Sequence, residues 1–150
     1  MLSSDSTWRL PYDMGMNGAR ILVAEDDPAT LELVQAFLES RGYRVGLAPD
    51  GNRALELGCS GQFDLIMLDL HMPLYGGVEV LHMLRKRYLL RPIKVIALTG
   101  DALPSMRGAV EREGIDSFLV KPVSLALLGE EIERVLSTPG VETKGRLRVG

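Results

Sequence analysis

Two hydrophobic patterns alternate along the chain. One is a short, unbroken apolar run, which is typical of a strand buried on both faces of a parallel sheet. The other is a longer stretch in which apolar residues recur at helical spacing. Unbroken runs predict strands at Ile21–Ala24 and Leu65–Leu68. Three further short and mainly apolar stretches, Tyr43–Ala48, Lys94–Leu98 and Ser117–Val120, complete the five predicted strands.

The stretches between the strands predict five helices. The first begins at Pro28, where the missing N–H of proline costs nothing, and Asp27 is a natural N-cap. This helix ends at Arg41-Gly42, and Ser124 caps the last helix, whose buried stripe runs to Val135. The other three helices are predicted at Asp50–Cys59, Gly77–Arg87 and Leu103–Arg112.

The order of these elements predicts the fold class. Strand and helix alternate five times, and parallel strands joined through helices form a sheet that carries helices on both faces. We expect one such domain at residues 19–137, preceded by a flexible extension, 1–18, and followed by a polar tail, 138–150. A chain of 150 residues is long enough to bury the core of one ordinary domain.

Composition and charge exclude several classes of protein. The chain is 46% hydrophobic and 25% charged, as soluble globular proteins are. Its formal net charge of -3 gives no reason to expect binding to nucleic acids or membranes. Cys59 is the only cysteine, so no internal disulfide can form, and no stretch has the length and apolarity of a membrane span. We therefore expect a cytoplasmic protein.

Polar side chains stand at the carboxyl ends of four predicted strands, and these ends lie at one edge of a parallel sheet. Glu25 and Asp26 follow the first strand, Asp69 the third, Thr99 the fourth and Lys121 the fifth. Three carboxylates repel one another unless a cation lies among them, and a set of oxygen ligands favours Mg²⁺ over Zn²⁺. Lysine and threonine beside them are suited to bind a phosphoryl group.

The strand-end residues belong to four short motifs, which follow one another along the chain: Ile21–Pro28 (ILVAEDDP), Leu68–Pro73 (LDLHMP), Leu98–Gly100 (LTG) and Phe118–Pro122 (FLVKP). In this order they resemble the motifs of response-regulator receiver domains of two-component signalling, a family that includes the chemotaxis regulators. The resemblance covers about Arg20 to Leu136 and implies a flavodoxin-like, doubly wound, five-stranded sheet in the order 2-1-3-4-5. Helices one and five would lie on one face and helices two, three and four on the other.

The resemblance also implies roles for individual residues. Asp69 would accept the phosphoryl group and become an aspartyl phosphate. Asp26 would be the main carboxylate ligand of Mg²⁺, Glu25 would assist through water, and Asp69 and the backbone carbonyl of His71 would complete the protein ligands. Glu25 departs from the family pattern, in which Asp is commoner at this position.

Three further residues would transmit the signal. Thr99 would bind a phosphoryl oxygen, and Lys121 would pair with Asp69 or its phosphate. Phe118 lies at the aromatic switch position of the family, although it lacks the hydroxyl of the commoner tyrosine. Lys121-Pro122 lies at the usual cis peptide. In this scheme the domain catalyses its own phosphorylation and dephosphorylation, and it has no independent substrate.

The implied partners are a sensor histidine kinase or a histidine phosphotransfer protein, and a downstream protein that binds the face formed by helix four, strand five and helix five. A phosphorylation-dependent homodimer is compatible with this reading. The chain is then either a stand-alone regulator or a segment of a larger regulator or hybrid kinase.

Three other readings compete with this one. In the first, the polar residues at the strand ends are unrelated caps of turns and helices, together with a lysine in a turn. Their positions at the carboxyl ends of the strands would then be five separate coincidences. A metal-dependent aspartyl phosphatase needs a second acid two residues after its nucleophile, a spacing that Glu25-Asp26-Asp27 lacks. A degenerate receiver that serves only as a docking surface stays open, although all five site positions are retained.

Overall fold

The structure, a computed structural model, describes residues 18–72, 76–87, 92–101 and 103–138. Strands and helices alternate throughout these ranges, as the hydrophobic pattern predicted. The strands are β1 (Arg20–Ala24), β2 (Arg44–Ala48), β3 (Leu65–Asp69), β4 (Lys94–Thr99) and β5 (Ser117–Val120). The helices are α1 (Pro28–Ser40), α2 (Gly51–Gly58), α3 (Gly77–Arg87), α4 (Pro104–Glu113) and α5 (Leu125–Ser137).

All paired strands are parallel, and their order in the sheet is β2-β1-β3-β4-β5. The predicted fold class and strand order are confirmed. The register aligns the carboxyl ends of the inner strands, because Ala24 pairs with Leu68, Asp69 with Leu98 and Thr99 with Val120. The polar residues at these ends are therefore brought to one edge of the sheet.

Alternating residues of the strands fill two cores. On one face, Ile21 of β1 and Met67 of β3 pack with the buried stripes of α1 and α5. On the other face, Leu22 and Ile66 pack with α2, α3 and α4. Every residue of β3 is buried, which explains why its apolar run shows no alternation. The predicted division of the helices between the two faces is confirmed.

Side-chain caps fix the starts of α1 and α5 as predicted. The Asp27 carboxylate accepts a hydrogen bond from the Thr30 N–H (3.1 Å), and the Ser124 hydroxyl accepts one from the Leu127 N–H (3.0 Å). Helix α4 begins differently, because the residue at its N-cap is Leu103, whose side chain makes no capping hydrogen bond.

The carboxyl end of α5 is fixed from the neighbouring sheet. The Lys94 ammonium, at the start of β4, donates to the carbonyl oxygens of Val135 (2.8 Å) and Thr138 (2.6 Å). The last carbonyls of a helix have no partner within the helix, and a cation there also interacts favourably with the helix dipole. Lys94 therefore connects the end of α5 to β4.

Some predicted boundaries move by one residue. Tyr43 was assigned to the second strand, but its N–H donates to the Leu38 carbonyl (3.1 Å), so it closes α1 before β2 begins at Arg44. Asp69 and Thr99 were placed just after their strands and instead are the last residues of β3 and β4. Most of the predicted extension, most of the tail and much of the loop before Gly77 lie outside the described residues. Within the described ranges, none of the helices has the length and apolarity to cross a bilayer.

Candidate functional site

Backbone hydrogen bonds hold the carboxyl edge of the sheet in register. The Lys121 N–H donates to the Thr99 carbonyl (2.7 Å), the Leu70 N–H donates to the Leu98 carbonyl (2.8 Å), and the Glu25 N–H donates to the Ala48 carbonyl (3.0 Å). These bonds continue the sheet ladder by one residue beyond the strands. The side chains that follow the strands are thus positioned by backbone that is itself fixed.

An acidic cluster lies at this edge. Glu25, Asp26 and Asp69 each contribute a carboxylate oxygen, and these oxygens all lie within 4.8 Å of one another. Glu25 is 7% exposed and Asp69 4% exposed, whereas Asp26 faces solvent. Carboxylates held this close, two of them away from water, require nearby positive charge.

Lys121 supplies part of that charge. Its ammonium donates to Glu25 Oε1 (2.9 Å) and to Asp69 Oδ2 (3.2 Å). Partial burial lowers the pKa of Lys121, but the hydrogen bond to Glu25 and the negative charges of Asp69 and Glu25 outweigh this effect, so its pKa lies above the ordinary 10.5. Lys121 is therefore a firmly charged bridge between the first and third strands.

The other carboxylate oxygens are held by backbone groups. Asp69 Oδ1 accepts a hydrogen bond from the His71 N–H (2.9 Å), and Glu25 Oε2 accepts one from the Asp27 N–H (3.1 Å). One oxygen of Asp69 thus accepts from the Lys121 ammonium and the other from the His71 N–H. These two hydrogen bonds orient the carboxylate at the end of β3.

Thr99 lies on the neighbouring strand and is fully buried. Its hydroxyl contacts His71 Nε2 (2.8 Å) and both the N–H and the carbonyl of Asp101 (3.0 Å each). The Met106 sulfur, in α4, lies 3.8 Å from the same oxygen. The hydroxyl is therefore shared by the ends of β3 and β4 and touches α4.

Phe118, the predicted switch residue, is half-buried in β5 and packs at the margin of the core under α2, α3 and α4. The guanidinium carbon of Arg107, in α4, lies 4.9 Å from the centroid of its ring. Phe118 is thus separate from the acidic cluster and in contact with the helix that also touches Thr99.

Gly77, the first residue of α3, allows that helix to begin against the site. A Cβ placed there would lie 2.4 Å from Leu70 Cα and 2.9 Å from the Asp69 carbonyl oxygen. The Gly77 N–H also donates to the Leu70 carbonyl (3.2 Å). Only glycine permits this approach of α3 to the backbone that carries Asp69.

A cleft of about 450 Å³ opens beside Lys121, between α1 and α5. Its walls include Asp69 and Glu25, and the remainder is largely apolar, with Leu33 and Leu125 on the two helices. Leu33 is 58% exposed. The acidic cluster is therefore reached from the side along an apolar surface.

The structure thus brings together Glu25, Asp26, Asp69 and Lys121, as their positions at strand ends predicted. It also reveals a contact that sequence reasoning missed, the hydrogen bond between the His71 side chain and Thr99. The sequence assigned His71 a backbone role alone, because a single histidine near a turn carries no signal of its partner. Its position two residues after Asp69 was the only available indication.

Comparison with known proteins places the domain in one family. Residues 21–133 match the family model described as "Response regulator receiver domain". The chain belongs to this family. It is 32% identical over 120 residues to the CAI-1 autoinducer sensor kinase/phosphatase CqsS of Vibrio cholerae. That match covers 79% of this chain but 18% of CqsS, so the chain spans a small part of this relative.

Solved receiver domains have the same architecture. The receiver domain of sensor histidine kinase PA1611 from Pseudomonas aeruginosa PAO1 is 31% identical, with a TM-score of 0.73 over 81% of this chain and 99% of that one. A CheY-like receiver domain protein from Methanospirillum hungatei JF-1 is also 31% identical, with a TM-score of 0.74 over 85% and 98% of the two chains. The PA1611 domain was solved with a magnesium ion coordinated in its active site cleft.

The acidic cluster of the present chain fits such an ion. The cluster contains three carboxylates, and two of them contact one ammonium group. When all are ionised, two negative charges are left in excess, the charge that a divalent cation neutralises. Asp26 is exposed and available to an ion that approaches from solvent. All three groups are oxygen donors, the class that Mg²⁺ prefers.

Proposed function

We propose that this receiver domain accepts a phosphoryl group on Asp69 from a phosphohistidine. The observation that carries the proposal is the bridge from Lys121 to Asp69 and Glu25, at 3.2 and 2.9 Å. It holds a buried carboxylate in a fixed orientation beside a lysine ammonium group, in a domain of the receiver family. This is the arrangement that nucleophilic attack on an anionic phosphoryl group needs.

In the proposed reaction, an oxygen of Asp69 attacks phosphorus while the bond from phosphorus to the imidazole nitrogen of the donor breaks. The electron pair of that bond stays on the donor imidazole, which takes up a proton from solvent. Lys121 stabilises the negative charge of the transferring group. Water later hydrolyses the acyl phosphate, which regenerates the Asp69 carboxylate and releases inorganic phosphate.

Glu25, Asp26, Asp69 and the His71 carbonyl would hold Mg²⁺. When bound, Mg²⁺ would supply the positive charge that offsets the charge on the phosphoryl oxygens. The role of this chain is to position Asp69, through the His71 N–H and Lys121, and to present Thr99 on the adjacent strand. Thr99 and Phe118 would then carry the signal towards α4.

The surroundings of the domain are also part of the proposal. We place the domain at residues 19–137, between a leader, 1–18, and a tail, 138–150. The phosphoryl donor would be a sensor histidine kinase or a phosphotransfer protein in the cytoplasm. A downstream protein, or a second copy of the chain, would bind the face formed by α4, β5 and α5. The domain would act on itself and turn over no independent substrate.

Intact-mass measurement after incubation with acetyl phosphate and Mg²⁺ tests the proposal. We expect one added phosphoryl group on the parent chain and none on Asp69→Asn, which keeps the shape of the side chain and removes the nucleophile. Asp64→Asn, at the start of β3 and at the opposite edge of the sheet, is the matched control and should be modified as the parent is. An unmodified parent chain would favour the docking-only reading of the domain.

A further inference from the structure

The side chain of His71 joins two neighbouring strands at the candidate site. His71 follows β3 and is exposed, whereas Thr99 ends β4 and is fully buried. The imidazole nevertheless reaches the buried hydroxyl, with Nε2 2.8 Å from Oγ1. None of the residue roles that the family resemblance implied requires this bond.

The hydroxyl of Thr99 has no free proton in this arrangement. A hydroxyl has one proton to donate and two lone pairs that accept. The Asp101 N–H occupies one lone pair. If the proton goes to the Asp101 carbonyl, the second lone pair accepts from His71 Nε2; if His71 carries its ring proton on the other nitrogen, the hydroxyl donates to Nε2 instead. In both arrangements the proton of Thr99 is already in use.

A phosphoryl group on Asp69 would need that proton. Phosphoryl oxygens are strong acceptors, so Thr99 can bind one of them only by donating. To do so, the hydroxyl must leave its present partner, either His71 or Asp101. Where the proton is donated to His71 Nε2, the imidazole competes directly with the phosphoryl group for Thr99. Where it is donated to the Asp101 carbonyl, the bond from His71 Nε2–H restrains the hydroxyl from moving towards the phosphoryl group.

We infer that the His71 imidazole is a positioning residue, which holds the Thr99 hydroxyl in the observed arrangement and so sets how readily phosphorylation of Asp69 moves it. The inference rests on the proposed phosphoacceptor function and adds a residue to it. The same residue also orients the acceptor, because the His71 N–H donates to Asp69 Oδ1 at 2.9 Å. One residue thus restrains both the group that is phosphorylated and the group that detects the phosphate.

The methyl group of Met106 can report a movement of the Thr99 hydroxyl. The Met106 sulfur lies 3.8 Å from the Thr99 hydroxyl, and Met106 belongs to α4. A change in the position of the hydroxyl therefore changes the surroundings of the Met106 methyl group. Met106→Leu identifies its signal among those of the other methionines.

Removing the imidazole should shift the balance towards the phosphate-bound arrangement. A net hydrogen bond of ordinary strength corresponds to a factor of about five in an equilibrium between two conformations. His71→Ala should raise the fraction of Thr99 in the alternative arrangement by about this factor, even without phosphate. His71→Gln should retain the observed arrangement, because its amide can donate to and accept from the hydroxyl.

NMR spectra of methyl-labelled methionine and backbone amides test this inference. The samples are the parent chain, His71→Ala and His71→Gln, each with and without Mg²⁺ and beryllofluoride, a phosphate mimic. We expect the Met106 and α4 signals of unliganded His71→Ala to move part of the way towards their positions in the mimic-bound parent. Unliganded His71→Gln should match the unliganded parent. If alanine disturbs the loop, His71→Phe keeps a ring and removes both nitrogens.

Two results would overturn the inference. The first is that the Met106 and α4 signals of the unliganded Ala and Phe variants coincide with those of the parent. The second is that the Gln variant shifts as far as the Ala variant. Failure of the proposed function has a different signature, since the parent chain itself would then give no response to Mg²⁺ and beryllofluoride, and the role of His71 would fall with it.

Discussion

Arg107 lies over the ring of Phe118, with its guanidinium carbon 4.9 Å from the ring centroid. The contact joins α4 to β5, two of the three elements in the proposed output face. Arg107 also pairs with Glu111 one turn later in the same helix, at 2.9 Å. The Arg107 guanidinium thus contacts both the Phe118 ring and the Glu111 carboxylate.

The first prediction is that Arg107 and Phe118 stabilise the domain as a pair. A cation over an aromatic ring at an exposed site contributes about 0.5–1 kcal/mol. A double-mutant cycle of Arg107→Ala and Phe118→Leu, measured by urea unfolding, should give a coupling free energy of this size. Glu111→Gln is the control, because it removes the ion pair and leaves the contact with the ring. Additive effects of the two substitutions would contradict the pairing.

The second prediction concerns the metal. Asp26→Asn removes one negative charge from the acidic cluster and should weaken Mg²⁺ binding by about tenfold or more. The stability of the metal-free domain should stay the same or rise, because repulsion from Glu25 and Asp69 is relieved. Titration of Mg²⁺ against amide shifts measures the affinity. Asp27→Asn makes the same charge change at the next residue, which caps α1 instead, and should retain most of the affinity. Equal losses in the two variants would argue against a direct role for Asp26.

The third prediction uses two adjacent glycines. Gly77→Ala should destabilise the domain by about 1–3 kcal/mol, because the new Cβ would meet the Leu70 backbone at 2.4 Å. Gly76→Ala is the matched control, since a Cβ at Gly76 meets nothing within 4 Å. Urea unfolding of both variants gives the comparison. Near-equal stabilities would show that α3 does not depend on this close approach.

The fourth prediction concerns the end of α5. Lys94→Met keeps most of the apolar stem but removes the donor to the Val135 and Thr138 carbonyls. Hydrogen bonds from a charged group contribute about 1.5–3 kcal/mol, so we expect a loss of about this size in the free energy of unfolding. Amide exchange in the last turn of α5 should accelerate. Lys86→Met, on the exposed surface of α3, should change neither quantity appreciably. Unchanged exchange in α5 would exclude Lys94 as its cap.

Sequence reasoning recovered the fold because the strands are short and mainly apolar, and because β1, β3, β4 and β5 each end in a polar residue or are followed at once by one. Their positions at strand ends were therefore enough to predict that Asp69 and Lys121 lie at the same edge of the sheet. Element boundaries were less certain where a backbone hydrogen bond, and not apolar character, decides which element a residue joins. Tyr43 has the apolar character of a strand residue, but its N–H donates to a carbonyl of α1 and closes that helix. The capping of α5 by Lys94 was also missed, because the two are far apart in sequence.

The contact between His71 and Thr99 was beyond sequence reasoning for a different reason. It depends on the register of β3 against β4 and on the rotamer of an exposed side chain, and neither leaves a periodic signal. The partner of Phe118 was missed on similar grounds, since Arg107 alone looks like an ordinary solvated helix residue. The hydrophobic pattern thus predicts which polar residues lie at the strand ends, but it does not predict which side chains contact and position them.

The last prediction is a dependence of stability on pH that belongs to Lys121. Because the pKa of Lys121 is raised on folding, its contribution to stability is fully present below the ordinary pKa of 10.5 and is lost as the pH rises through the higher folded value. In magnesium-free buffer, the parent should be more stable than Lys121→Met at pH 8, because methionine leaves Glu25 and Asp69 buried without their cation. This difference should stay constant to about pH 10 and shrink above it, since titrations elsewhere in the chain affect both proteins alike. Urea unfolding at intervals from about pH 8 to about pH 11.5 measures it.

The corresponding difference for Lys86→Met should stay flat over the same range. A difference between parent and Lys121→Met that is independent of pH, or that grows in alkali, would show that the ammonium of Lys121 does not stabilise the acidic cluster.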